Sequence, residues 1–237
     1  TPLSSAQLNA TSFVPGTFNY SPQAGSILPA GTKTLTVNFL PSDPNNYLTA
    51  ISSVEVMVEK VAPTIAGLAA SSLTYGQPLG SATRNGSATS GTNSVPGTFA
   101  FTMPSLVPNA GTTSQSVTFT PTDTVNYNTV MTMVSVTVNK ATPTITMAPT
   151  ASAITYGQTL ASSTLSGGSA SATGGTLSIG PSMGPGGGTG GDAINFNPNP
   201  SASLPGVFAF TAPSTAPNAG TVSHSVTFTP TDTANYN

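Results

Sequence analysis

One short phrase recurs three times and constrains the fold more than any other feature of this 237-residue chain. It reads Phe39-Leu40-Pro41-Ser42-Asp43-Pro44-Asn45-Asn46-Tyr47 first. It returns as Phe119-Thr120-Pro121-Thr122-Asp123-Thr124-Val125-Asn126-Tyr127, and again as Phe228-Thr229-Pro230-Thr231-Asp232-Thr233-Ala234-Asn235-Tyr236. Companion motifs keep step with it. Pro15-Gly16-Thr17-Phe18 matches Pro96-Gly97-Thr98-Phe99 and Pro205-Gly206-Val207-Phe208. Pro29-Ala30-Gly31-Thr32 matches Asn109-Ala110-Gly111-Thr112 and Asn218-Ala219-Gly220-Thr221. Leu73-Thr74-Tyr75-Gly76-Gln77 matches Ile154-Thr155-Tyr156-Gly157-Gln158. Self-similarity of this kind implies tandem units rather than one large domain.

The tyrosines that close the phrase lie 80 and then 109 residues apart, so the third unit carries about 29 extra residues. The expected units are 1–60, lacking its opening strand, 61–140, complete, and 141–237, stopping before its final strand. The insertion is placed at about 166–202, where six glycines fall among residues 184–191.

Strand signals fill each unit. Leu35, Val37 and Phe39 alternate with polar residues, as do Val54, Val56 and Val58. Val117 and Phe119, then Val134, Val136 and Val138, repeat the pattern. Period-two alternation rich in Val, Thr and Phe predicts strands with one buried face. No helix-length stretch has a 3.6-residue period, and Pro and Gly recur too often for one. A single small sheet cannot cover its own apolar face, so the expectation is an all-β, two-sheet sandwich in each unit. Arg84 beside Asn85-Gly86 reads as loop.

Charge excludes several functions. Only ten residues are Lys, Arg, Asp or Glu, and the formal net charge is −2. That leaves no basic footprint for nucleic acid or anionic lipid. No apolar run approaches the roughly 20 residues of a membrane span. The absence of cysteine rules out disulfides, thiol catalysis and Cys-ligated zinc.

The units resemble bacterial immunoglobulin-like repeats of the MBG and Big type. The resemblance rests on Tyr75-Gly76-Gln77, Pro96-Gly97-Thr98-Phe99, Asn109-Ala110-Gly111-Thr112, residues 117–123, Asn126-Tyr127 and Val136-Thr137-Val138-Asn139-Lys140. It covers almost the whole chain apart from the insertion. It implies tandem immunoglobulin-like β-sandwich repeats in a secreted or surface-attached bacterial protein, serving as stalk, spacer or part of an adhesin. It carries no catalytic residues.

Candidate chemistry is sparse. Asp43, Asp123 and Asp232 recur in register, and Asp192 sits in a Gly-rich stretch, 187–195, that fits the calcium nonapeptide pattern. These four are the calcium candidates. A calcium site wants six to eight oxygens, and each unit offers one such carboxylate. The favoured reading is therefore a turn, with Asp capping local N–H groups and Tyr47, Tyr127 and Tyr236 anchoring the loop at the sandwich end. A hairpin pairing 176–179 with 193–196, or a plain flexible loop, would suit the insertion. His224 is the only histidine and reads as an exposed strand residue without catalytic partners. Glu55 and Glu59 lie too far apart along a strand to form an acid pair. Lys60 and Lys140 each close a unit and mark the junctions.

The expectation is thus a non-catalytic extracellular stalk or spacer at a cell surface. Its partners would be neighbouring immunoglobulin-like repeats, without cofactor, nucleic acid or membrane contact. The alternative is a cell-adhesion module that binds glycan or protein through the Gly-rich insertion.

Overall fold

The computed structural model describes residues 1–172 and 203–237. Within them the chain is nearly all β. The strands are β1 (Gly16–Ser21), β2 (Gly31–Pro41), β3 (Ala50–Val58), β4 (Thr64–Ala70), β5 (Leu73–Thr74), β6 (Arg84–Ser90), β7 (Asn93–Ser94), β8 (Gly97–Phe101), β9 (Gly111–Pro121) and β10 (Val130–Asn139). They continue as β11 (Thr144–Met147), β12 (Thr150–Ala151), β13 (Leu165–Ser166), β14 (Ser169–Ser171), β15 (Gly206–Phe210) and β16 (Val226–Pro230). Two single-turn 3-10 helices, Leu79–Ser81 and Leu160–Ser162, are the only helical elements among the described residues.

The strands form several sheets. One runs β1-β2-β3, one β4-β6-β7 and one β5-β10-β9-β8. Three two-stranded sheets pair β11 with β14, β12 with β13 and β15 with β16. β1–β2, β2–β3, β6–β7, β11–β14, β12–β13 and β15–β16 pair antiparallel, whereas β10 runs parallel to β5 with Val138 opposite Leu73. The chain gathers into two compact units. One comprises Thr1–Leu68, Gly86–Phe99 and Thr118–Thr132; the other comprises Ala69–Asn85, Ala100–Val117 and Met133–Asn237.

The alternating pattern is realised most fully in β10, where Val134, Val136 and Val138 are buried and the residues between them exposed. In β3 it is not. Val54 is 61% exposed, although β3 pairs residue by residue with β2. Alternation marks which face would be buried, but burial also needs a covering layer. Residues 1–15 contribute no strand to provide one. Arg84 also departs from its loop assignment. It opens β6, and its guanidinium lies 4.9 Å from the centre of the Phe101 ring.

The same aromatic pair recurs in each copy of the Pro-Gly motif. Phe18 meets Phe39 at 4.9 Å, Phe99 meets Phe119 at 4.9 Å and Phe208 meets Phe228 at 5.0 Å, all tilted. Such cross-strand pairs stabilise a sheet beyond the apolar area they bury. The glycine two residues earlier makes room for the second ring. A Cβ at Gly97 would fall on the Phe119 ring and on the carbonyl oxygen of Thr120. Gly16 and Gly206 stand in the same relation to Phe39 and Phe228. In the first compact unit Phe119, Ala88 and Val95 form a core, with Ile65, Phe99 and Tyr127 packed against it.

At the start of the expected insertion, Leu165–Ser166 and Ser169–Ser171 form β13 and β14, with Gly167 and Gly168 between them at φ of 67° and 83°. Ser171 bridges antiparallel to Ser203.

Gly97→Ala should lower the unfolding free energy by about 1–3 kcal/mol through overpacking. Urea denaturation followed by tyrosine fluorescence measures this. An unchanged midpoint would show that the ring over glycine is not tightly held.

Candidate functional site

Each copy of the phrase folds the same way locally. Asp43 Oδ1 accepts from the N–H of Asn45 at 3.2 Å, and its Oδ2 accepts from Asn46 Nδ2 at 2.7 Å. Asp123 Oδ1 accepts from the N–H groups of Val125 and Asn126, both at 3.1 Å, and Oδ2 from Asn126 Nδ2 at 2.7 Å. Asp232 accepts from Asn235 N–H at 3.2 Å and from Asn235 Nδ2 at 2.9 Å. The tyrosine N–H closes each turn onto the aspartate carbonyl, at 3.1 Å for Tyr47 and 3.2 Å for Tyr127 and Tyr236. An aspartate that gathers the N–H groups two and three residues on holds a tight turn.

These bonds set the charge state. The Asn46 side chain, ahead of the backbone N–H groups, holds the Asp43 carboxyl below its ordinary value. The Asn126 side chain and backbone do the same for Asp123, helped by Val125 N–H and the Lys60 ammonium.

The asparagine also reaches beyond its own turn. Asn126 Oδ1 accepts the N–H of Ala30, 96 residues earlier, at 2.8 Å. Asn235 Oδ1 accepts the N–H of Ala110, 125 residues earlier, at 2.8 Å. Ala30 and Ala110 occupy the same place in the Ala-Gly turn, so each bond ties one copy of the motifs to the next. Lysine adds a second tie. Lys60 Nζ donates to the Thr124 carbonyl at 2.8 Å, and Lys140 Nζ to the Thr233 carbonyl at 2.6 Å. The following residue adds a third. Val61 bridges parallel to Tyr127, its N–H donating to Asn126 O and its carbonyl accepting from Asn128 N–H, both at 2.9 Å. Ala141 repeats this with Asn235 and Asn237, at 2.9 and 3.0 Å.

The described residues form two such joints, one in each compact unit, and burial follows the ties. Tyr236 is 3% exposed and Asn235 8%. In the first copy, where no earlier Ala-Gly turn is described, Tyr47 is 48% exposed. Tyr236 packs with Ala141, Ala172 and Leu204, and Tyr75 meets its ring edge-on at 5.3 Å. Burial, then the Asp232 charge, raises the Tyr75 hydroxyl pKa. Tyr236 is raised by burial first, then by Tyr75 and Asp232.

Reading the sequence singled out Asp and Tyr in the phrase and missed Asn126, Asn235, Ala30 and Ala110. The asparagine recurs at a fixed offset, which was a usable signal. Its partner lies a whole copy away, which was not. Among the described residues no group of three or more His, Cys, Asp or Glu is placed to hold a metal, and no helix is long and apolar enough to cross a membrane. Asp192, the 187–195 stretch and the proposed hairpin segments lie outside the described residues. His224 is not in a strand and is half-buried, with Nε2 enclosed and lacking a hydrogen-bond partner.

Asn235→Ala should cost about 2 kcal/mol, because it strands a partly buried N–H and removes a carboxylate partner. Asn46→Ala, at an exposed copy without the long-range bond, should cost less than about 0.5 kcal/mol. Equal losses in chemical denaturation would show that the long-range bond contributes nothing. Acid titration tests the carboxylates. A depressed folded pKa lends stability that is complete above the ordinary value of 3.8 and drains away as pH falls through the folded value. Unfolding midpoints should therefore drop below about pH 4, and Asp123→Asn should flatten that drop. No family model, curated protein or solved structure matches the chain, so the reading of its function rests on these residues.

Proposed function

We propose that the chain is a non-catalytic structural region, a stalk or spacer of tandem immunoglobulin-like β-sandwich repeats in an extracellular bacterial surface or secreted protein. The observation that carries this reading is the joint built twice from the same parts. An asparagine bridge, a lysine tie and a one-residue strand bridge recur at equivalent positions. A device repeated between successive copies serves spacing and orientation. A binding or catalytic site would be expected in one copy, with residues of its own.

Chemistry supports the same reading. The recurrent aspartates spend their oxygens on turn N–H and amide groups. Low charge leaves few residues for acid–base work. Pro63 and Pro143 follow the junction lysines and restrict backbone torsion there. The extracellular placement and the immunoglobulin-like assignment rest on the sequence resemblance.

The chain has no cysteine, which makes site-directed spin labelling clean. Labels at Thr32→Cys and Thr122→Cys flank the Asn126 joint on exposed residues. The distance distribution between them should be narrow, and Asn126→Ala should broaden it. A broad distribution in the chain with Asn126 intact would sink the spacer reading, since the joint would then not hold its segments.

A further inference from the structure

Methionine is among the residues most often buried in folded proteins, and here it is not. Five of the six methionines lie among the described residues, and all five are exposed. Met57, Met103, Met131, Met133 and Met147 each keep 57–67% of their surface in solvent. Local structure explains the placement. Met57 alternates with the half-buried Val56 and Val58 on β3. Met131 and Met133 lie on the opposite face of β10 from the buried Val134, Val136 and Val138. Successive residues of a strand face opposite sides of the sheet, so valine takes the inner side and methionine the outer. Met103 follows β8 in a bend, and Met147 ends β11.

These outer positions already accommodate side-chain oxygen. The cross-strand partner of Met57 is Thr32, whose hydroxyl donates to Met57 Sδ at 3.9 Å. In the next copy the same two places hold Thr112 and Thr137, with their hydroxyls hydrogen-bonded at 3.1 Å. Where the second copy has Met133, the first has Ser53, which is also exposed. A sulfoxide would put an oxygen acceptor at such a place, and the Thr32 hydroxyl is a donor beside Met57. No other side chain competes strongly for an oxidant. The chain has neither cysteine nor tryptophan, so its thioethers are its softest groups.

We propose that the exposed methionines form an oxidant sink for peroxides. One oxygen atom passes from the peroxide to the thioether sulfur. The O–O bond breaks, an S–O bond forms, the sulfur gives up two electrons, and hydrogen peroxide leaves as water. Methionine oxidation damages proteins by placing a polar group in a core. At these positions the new oxygen stays in solvent, so the fold is kept. The exposed sulfoxide is also open to a methionine sulfoxide reductase, which restores the thioether with electrons from a thiol. This inference goes beyond the spacer reading and does not depend on it.

The test treats the full folded chain with hydrogen peroxide and follows each methionine by peptide mass mapping. All five should oxidise within about fivefold of their rates in the urea-unfolded chain, because solvent already reaches them. The urea midpoint of the oxidised chain should move by less than about 0.3 M. Met131→Leu with Met133→Leu should lower peroxide consumption by one equivalent for each residue replaced. Val136→Met sets a thioether on the buried face of the same strand, and it should oxidise at least about tenfold more slowly than Met131. Should that variant unfold, the folded-to-unfolded rate ratio of the unaltered chain carries the comparison. Protection of any of the five beyond about fivefold in the folded chain would overturn the proposal. So would a midpoint that falls by more than about 0.3 M on oxidation, because the sulfoxides would then disturb packing.

Discussion

The side-chain amide of one asparagine per joint carries two obligations at once. Its nitrogen donates to the aspartate of its own turn, and its oxygen accepts an N–H from the preceding copy. A carboxamide carries a donor and an acceptor at fixed positions on one planar group. Aspartate in that place would set two carboxylates together, and leucine would leave the alanine N–H without its acceptor. The turn and the joint are therefore a single hydrogen-bond network. Local order in the phrase prepares the oxygen that reaches back to Ala30 or Ala110.

Packing reinforces the network without replacing it. The glycine of each Pro-Gly motif lets a phenylalanine ring lie over the backbone, and the partner ring fills the remaining space. Beyond the paired strand, Tyr127 and Tyr236 press the phrase onto the cores beneath. The same residue types differ in burial from copy to copy. Val54 and Tyr47 are exposed in the first copy, and Ile154 and Val226 are half-buried in the third. Burial in this protein is a property of neighbours more than of composition.

Much of this was legible from residues alone. The β character, the strand faces and the turn aspartates follow from alternation and from Pro, Gly and Asp at fixed offsets. Three features did not follow. The loop reading of Arg84 gave way to the start of a strand, with its guanidinium over the Phe101 ring. Gly167 and Gly168, at the start of the expected insertion, lie at positive φ between two short strands that pair in different sheets. His224 looked like an exposed strand residue, yet it lines a groove at a place where no strand forms.

The amino-acid sequence by itself determined the local code: which residues alternate, where the chain turns, and that each turn carries Asp, Asn and Tyr in register. Period and offset are short-range properties, so they survive without a partner. Only the tertiary structure decided that Asn126 and Asn235 bridge to alanines 96 and 125 residues away. A hydrogen bond across that separation depends on how whole strands are placed. The phrase therefore marks the joint, and the fold supplies what the phrase is joined to.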